Sequence, residues 1–245
     1  MDVAAVSDTI LLLDEADALF SKRIEGNSAG NRCANMLNLG FIFGQQQNWQ
    51  AAITHLNTAV LLQPKMAMAH SNLGQILFAV GEREKAMDHL IKATNIAPEN
   101  AQVWANLGRI RLLQNDASGA ESAYRQALRH SPEDIHMITC LGTAVAAQKH
   151  YADALDIYAL AIGLNPANAE AWTQMGIVRF LRQDYGSAKE ALKRALLYKP
   201  KDDLAVKHLA LVYATCKQVD KAIAVLAPYC ESKPEDRDCA LELAV

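Results

Sequence analysis

The sequence predicts an all-α fold, a solenoid of stacked antiparallel helix pairs. Three observations carry that expectation. Six of the seven prolines, Pro64, Pro98, Pro132, Pro166, Pro200 and Pro234, recur every 34 residues. A Leu-Gly type pair keeps step with them, as Leu39-Gly40, Leu73-Gly74, Leu107-Gly108, Leu141-Gly142 and Met175-Gly176, with Leu209-Ala210 in the last copy. Two alanine columns run in the same register: Ala52, Ala86, Ala120, Ala154, Ala188 and Ala222, then Ala59, Ala93, Ala127, Ala161 and Ala195, the second breaking at Tyr229. A period of this length marks supersecondary units that bury their apolar faces on their neighbours.

Aligning on the prolines gives six units: 33–66, 67–100, 101–134, 135–168, 169–202 and 203–236. Each half-unit places apolar residues three and four positions apart, the spacing of one helical face. Turn formers such as Gly81-Glu82 and Asn115-Asp116 divide the halves. A glycine inside a helix costs about 1 kcal/mol against alanine. Its recurrence therefore predicts a close approach between the two helices of a pair. Between the alanine columns a bulky residue recurs: Leu56, Leu90, Tyr124, Tyr158, Leu192 and Leu226. Each proline is expected to stop the second helix, because it lacks an N–H and clashes with the preceding turn.

These columns resemble the tetratricopeptide repeat (TPR) family over residues 33–236. The resemblance implies a helix–turn–helix per unit and a right-handed superhelix, here of six repeats plus terminal helices. It also implies that the first helix of each unit lines a concave groove. One groove-facing column then reads Asn38, Asn72, Asn106, Cys140, Gln174 and His208. A carboxamide offers donors and an acceptor, so a row of them can hold the backbone of an extended peptide, as in peptide-reading members of the family. Arg109 adds a charge to that surface, and Phe41, Phe78 and Phe180 are candidate apolar anchors. The alternative for the asparagines is that they satisfy neighbouring backbone or each other. Family members that clamp acidic chaperone tails need a lysine where this chain has Leu37, Ser71 or Ala105. They need an asparagine where it has Phe41, Gln75 or Arg109, so that specificity is not expected.

Composition narrows the function classes. The chain of 245 residues is 51% hydrophobic, enough to cover the faces between helices. A net charge of −3 argues against general nucleic-acid binding. The basic cluster Lys189, Lys193, Arg194, Lys199 and Lys201 reads as a solvated outer face. Five cysteines at irregular spacing, without a CxxC, argue against a disulfide framework and for a reducing compartment. Cys140 reads as a small packing residue. No histidine cluster has metal-ligand spacing, so neither metal nor cofactor is expected. No stretch has the length of a membrane span, and a cytoplasmic location is the default.

Residues 1–32 stand apart. The run from Thr9 to Arg23, apolar and then Asp14-Glu15, resembles the Walker B segment of AAA-type ATPases. The resemblance implies that Asp14 would hold Mg²⁺ through water and Glu15 would orient the attacking water. A phosphate loop needs a Gly-Lys dipeptide, and the chain has none; ATPase activity is therefore not expected. Three readings stay open: a remnant of an ATPase, a chain that starts inside a longer protein, or an amphipathic helix capping the first repeat. Residues 24–32 read as a linker. Arg237 to Val245 reads as a capping helix or the start of a truncated repeat.

The function expected from the sequence is a non-enzymatic scaffold whose partner is a peptide or a helix. An accessory role in an ATPase assembly and self-association into a larger scaffold are the alternatives.

Overall fold

The computed structural model describes residues 29–232. The Walker B-like pair Asp14 and Glu15, the expected C-terminal cap and Pro234 all lie outside those residues. Twelve helices follow one another among the described residues: α1 (Ala29–Gln45), α2 (Trp49–Leu62), α3 (Ala67–Ala79), α4 (Arg83–Ile96), α5 (Ala101–Leu113), α6 (Ala117–His130), α7 (Ile135–Ala147), α8 (Tyr151–Leu164), α9 (Ala169–Leu181), α10 (Tyr185–Tyr198), α11 (Asp203–Thr215) and α12 (Val219–Ser232). The fold class is the all-α repeat solenoid that the columns predict. α1 starts at Ala29, so the last four residues of the expected linker are helical. Packing of Cys33, which is buried one turn further on, outweighs the weak local turn signal of Gly30-Asn31.

The chain forms two compact units, one ending at Leu107 and the other starting at Gly108, within α5. In the first, Leu56, Leu73, Leu77 and Ala86 make one core cluster, Cys33, Ala59 and Ala69 a second, and Ala67, Ala93 and Val103 a third. In the second, Ile138, Ala161 and Ala171 cluster together, and a larger core gathers Leu192, Leu209, Val212, Tyr213 and Leu226. Tyr158 is fully buried, and its hydroxyl donates to Thr143 Oγ1 at 3.3 Å. Burying such an aromatic body contributes roughly 1.5–3 kcal/mol, and the hydroxyl would oppose it if left unpaired.

The glycine column lies under the bulky column. A Cβ built on Gly40, Gly74, Gly108, Gly142 or Gly176 would come within 2.5, 2.8, 3.0, 2.5 or 2.6 Å of Leu56, Leu90, Tyr124, Tyr158 or Leu192 respectively. The helices of a pair approach more closely than any larger residue allows.

The even helices from α2 to α10 stop where their prolines require. Gln63, Ala97, Ser131, Asn165 and Lys199 cap α2, α4, α6, α8 and α10, each immediately before a proline, with φ between −141° and −132° and ψ between 71° and 97°. A proline excludes the helical conformation from the residue before it. The proline carbonyl then anchors the next helix: Trp104 Nε1 donates to Pro98 O at 2.8 Å and Trp172 Nε1 to Pro166 O at 2.9 Å. Side-chain caps start α7, α9 and α11, with Asp134, Asn168 and Asp202 accepting from Met137, Ala171 and Ala205 N–H groups.

Between the helices of each pair one residue is left-handed, at Gln47, Gly81, Asn115, Lys149, Gln183 and Lys217. Sequence reading finds this turn at Gly81 and Asn115, the residue types that adopt it readily. The other four are legible only from the register. A second feature sequence reading misses is an arginine strap. Arg111 Nη1 donates to Gly119 O at 3.1 Å and Arg179 Nη1 to Ser187 O at 3.4 Å, each tying an odd helix to the first turn of its partner.

Cys33, Cys140 and Cys216 are free, whereas Cys230 is disulfide-bonded. No helix among the described residues is long and apolar enough to cross a membrane.

Candidate partner-binding face

The candidate residues lie on the odd helices, and the two units treat them differently. In the first unit Asn38 is exposed on α1, Asn72 is half-buried on α3 and Asn106 is buried on α5. Asn106 Nδ2 donates to Ser71 Oγ at 2.9 Å, and Gln102 Nε2 donates to Asn106 Oδ1 at 3.1 Å. Both ends of that amide are engaged within the unit, and Asn106 fastens α5 to α3. Asn38 and Asn72 are the two of the series that reach the surface.

Asn72 shares a cavity of about 160 Å³ with Phe41, Gly40, Gly44, Leu56 and Ile76, among others. The absence of side chains at Gly40 and Gly44 opens the space. Leu56, fully buried on α2, and Ile76 on α3 give it apolar walls. Phe41 is 53% exposed beside it, and Ile42 next to it is 47% exposed. The volume is below that of small-molecule sites and suits one aliphatic side chain. Phe78 is half-buried against the Leu56–Leu73–Leu77 core.

In the second unit Gln174, half-buried on α9, lies in a cavity of about 400 Å³ with Thr173, Glu170, Lys201 and the start of α11. Its lining residues are polar or charged apart from Leu204. Lys199 Nζ sits 3.0 Å from Asp202 Oδ2, and this hydrogen bond raises the lysine's pKa. His208 on α11 has Nδ1 3.0 Å from Leu204 O, which places a proton on that nitrogen. Arg109 is exposed on α5. Phe180 is half-buried against the last core, tilted onto Tyr185 with ring centroids 5.6 Å apart.

Cys140 is half-buried on α7, with its sulfur 3.7 Å from His136 Nε2. Burial pushes its thiol up to about 11, against the lowering effect of its hydrogen bond with Tyr124. It is protonated at neutral pH, and reactive cysteines have the opposite character. Tyr124 is itself raised well above the ordinary phenol value, first by burial.

Three family models match the chain. The model described as the TPR domain of cytochrome c-type biogenesis protein H matches residues 90–206. Two tetratricopeptide repeat models match residues 32–99 and 179–242. Among solved structures, PilF of Pseudomonas aeruginosa is 19% identical, with a TM-score of 0.73 over 89% of this chain and 97% of that one. PilW, described as a widely conserved type IV pilus biogenesis factor, is 16% identical, with a TM-score of 0.77 over 86% and 96%. YrrB, described as a TPR protein with an unusual peptide-binding site, is 21% identical, with a TM-score of 0.58 over 76% and 95%. At these identities the likeness is one of fold. No curated protein sequence matches the chain. Between them the three models, all of the tetratricopeptide type, cover residues 32 to 242, and with the stacked helix pairs they support the tetratricopeptide repeat family for this chain.

Proposed function

We propose that this protein is a non-enzymatic scaffold that binds an extended peptide or a partner helix along its odd helices. The observation that carries the reading is the cavity between α1 and α3, where an apolar recess meets the Asn72 carboxamide and the exposed Phe41. A partner side chain enters the recess, Phe41 covers it, and Asn72 engages the partner's backbone. A few such anchors supply most of the affinity of an interface. Gln174 and His208 offer polar contacts on the odd helices of the second unit, and Arg109 a charge.

The test is a peptide library panned on the full chain, with enriched peptides measured by fluorescence anisotropy. Asn72→Ala and Gly44→Ala are each expected to weaken an enriched peptide about tenfold, the value of one lost anchor near 1.4 kcal/mol. The Gly44 substitution works by filling space, since its new Cβ would lie 2.6 Å from Ile76 Cδ1. Unchanged affinities in both variants would remove this recess from the account.

A further inference from the structure

His70 on α3 and His89 on α4 face each other within one helix pair, with Nδ1 to Nδ1 at 2.9 Å. Their sequence separation of nineteen residues hides the pair from any motif search. His70 occupies the register position of Trp104 and Trp172, and it makes the same anchor: its Nε2 lies 3.1 Å from Pro64 O. In the Trp104 and Trp172 copies the corresponding group is an indole N–H. A carbonyl accepts only from an N–H, so the His70 proton is on Nε2 and the lone pair is on Nδ1, the nitrogen on the side of His89. His70 is 6% exposed, and the Pro64 bond fixes its ring.

We propose that His70 and His89 form a two-histidine chelate for a borderline divalent transition-metal ion, with Cu²⁺ held most tightly. Imidazole suits these ions, and the usual order of affinity places Cu²⁺ at its peak. Metal–nitrogen bonds of about 2.0–2.1 Å meeting at a right angle separate the two nitrogens by about 2.8–3.0 Å. The observed 2.9 Å therefore matches two adjacent positions of a tetragonal ion. The outer bond from Nε2 to a backbone carbonyl is the support that metal-binding histidines normally have. Without metal, His89 Nδ1–H donates to His70 Nδ1. Binding needs that proton moved to His89 Nε2 through solvent, with no net change in charge on the protein. No cluster of three or more histidine, cysteine or acidic side chains stands ready for a metal among the described residues. The remaining coordination positions go to water or to a ligand carried by a partner.

The surrounding repeats supply the control. The residues at the His89 position opposite Trp104 and Trp172 are Ala123 and Ala191, both buried. The double variant His70→Trp/His89→Ala therefore rebuilds a pairing the chain already uses and keeps an N–H for Pro64 O. The full chain is titrated with Cu²⁺ supplied as its glycine complex, which suppresses adventitious binding. Nitrogen couplings in the electron paramagnetic resonance spectrum count the imidazoles. The expected result is a saturable equivalent with two protein nitrogens, about 100-fold weaker in His89→Ala and absent from the folded double variant. Metal is also expected to raise the melting temperature of the natural chain and not of the double variant, since a ligand of the folded state stabilises it. Failure to saturate, or a two-nitrogen signal that survives in the double variant, overturns the proposal.

Discussion

Gly142 lies directly beneath Tyr158: a Cβ on the glycine would stand 2.5 Å from Cε1 of the ring and 2.8 Å from Cδ1. The tyrosine is fully buried and its hydroxyl is tied to Thr143, so the ring cannot swing away without losing both. On an exposed helix, glycine to alanine is a gain of about 1 kcal/mol. Here Gly142→Ala is expected to destabilise by about 1–3 kcal/mol through overpacking. Urea denaturation followed by circular dichroism gives the sign, and a stabilised variant would contradict the close-packed pair.

The left-handed turn makes the opposite kind of prediction. Gln183 has φ of 63°, where an L-residue pays about 1–2 kcal/mol. Glycine removes that strain and returns part of it as chain entropy. Gln183→Gly is expected to stabilise by about 0.5–1 kcal/mol, and Gly81→Ala, at φ of 90°, to destabilise by about 1 kcal/mol. Melting curves of the two variants should shift in opposite directions.

Asn106 and Asn72 share a column but differ in their surroundings. Asn106→Ala leaves Ser71 Oγ and Gln102 Nε2 without their partner and is expected to cost about 1–3 kcal/mol of stability. Asn72→Ala is expected to change stability by less than about 0.5 kcal/mol while weakening peptide binding. Thermal denaturation beside a binding assay separates the two roles.

Asp184 caps α10, accepting from the Ser187 N–H at 3.2 Å. Hydrogen bonding to Ser187 holds its carboxyl below the ordinary aspartate value of 3.8. A lowered folded pKa gives stability that is complete above 3.8 and is lost as pH falls through the folded value. Asp184→Asn is expected to keep the cap at neutral pH and lose that acid-dependent part. Asp184→Ala should cost about 1 kcal/mol at pH 7. Melting temperatures of the three proteins between neutral and strongly acidic pH are the check.

The repeat was legible because its columns are set by packing. Small residues at Gly142 and Ala154 and a bulky one at Tyr158 are each needed where two helices meet, and 34 residues later the need returns. The prolines were legible because a ring without an N–H has few places in a helical chain. The candidate face was only partly legible. A column number tells which helix carries Asn106 but not that Ser71 and Gln102 occupy its amide. The recess beside Phe41 depends on two missing side chains, Gly40 and Gly44, meeting Ile76 from another helix. The His70–His89 pair escaped because it joins residues far apart in sequence, and only the fold makes them neighbours.

The most direct test of the account is site-specific photo-crosslinking. A benzoylphenylalanine at position 41 probes the recess, and one at Leu61, 80% exposed on α2, probes an even helix. With a peptide selected on the full chain, crosslinking is expected from position 41 and not from position 61. Capture from position 61 with none from position 41 would contradict recognition by the odd helices.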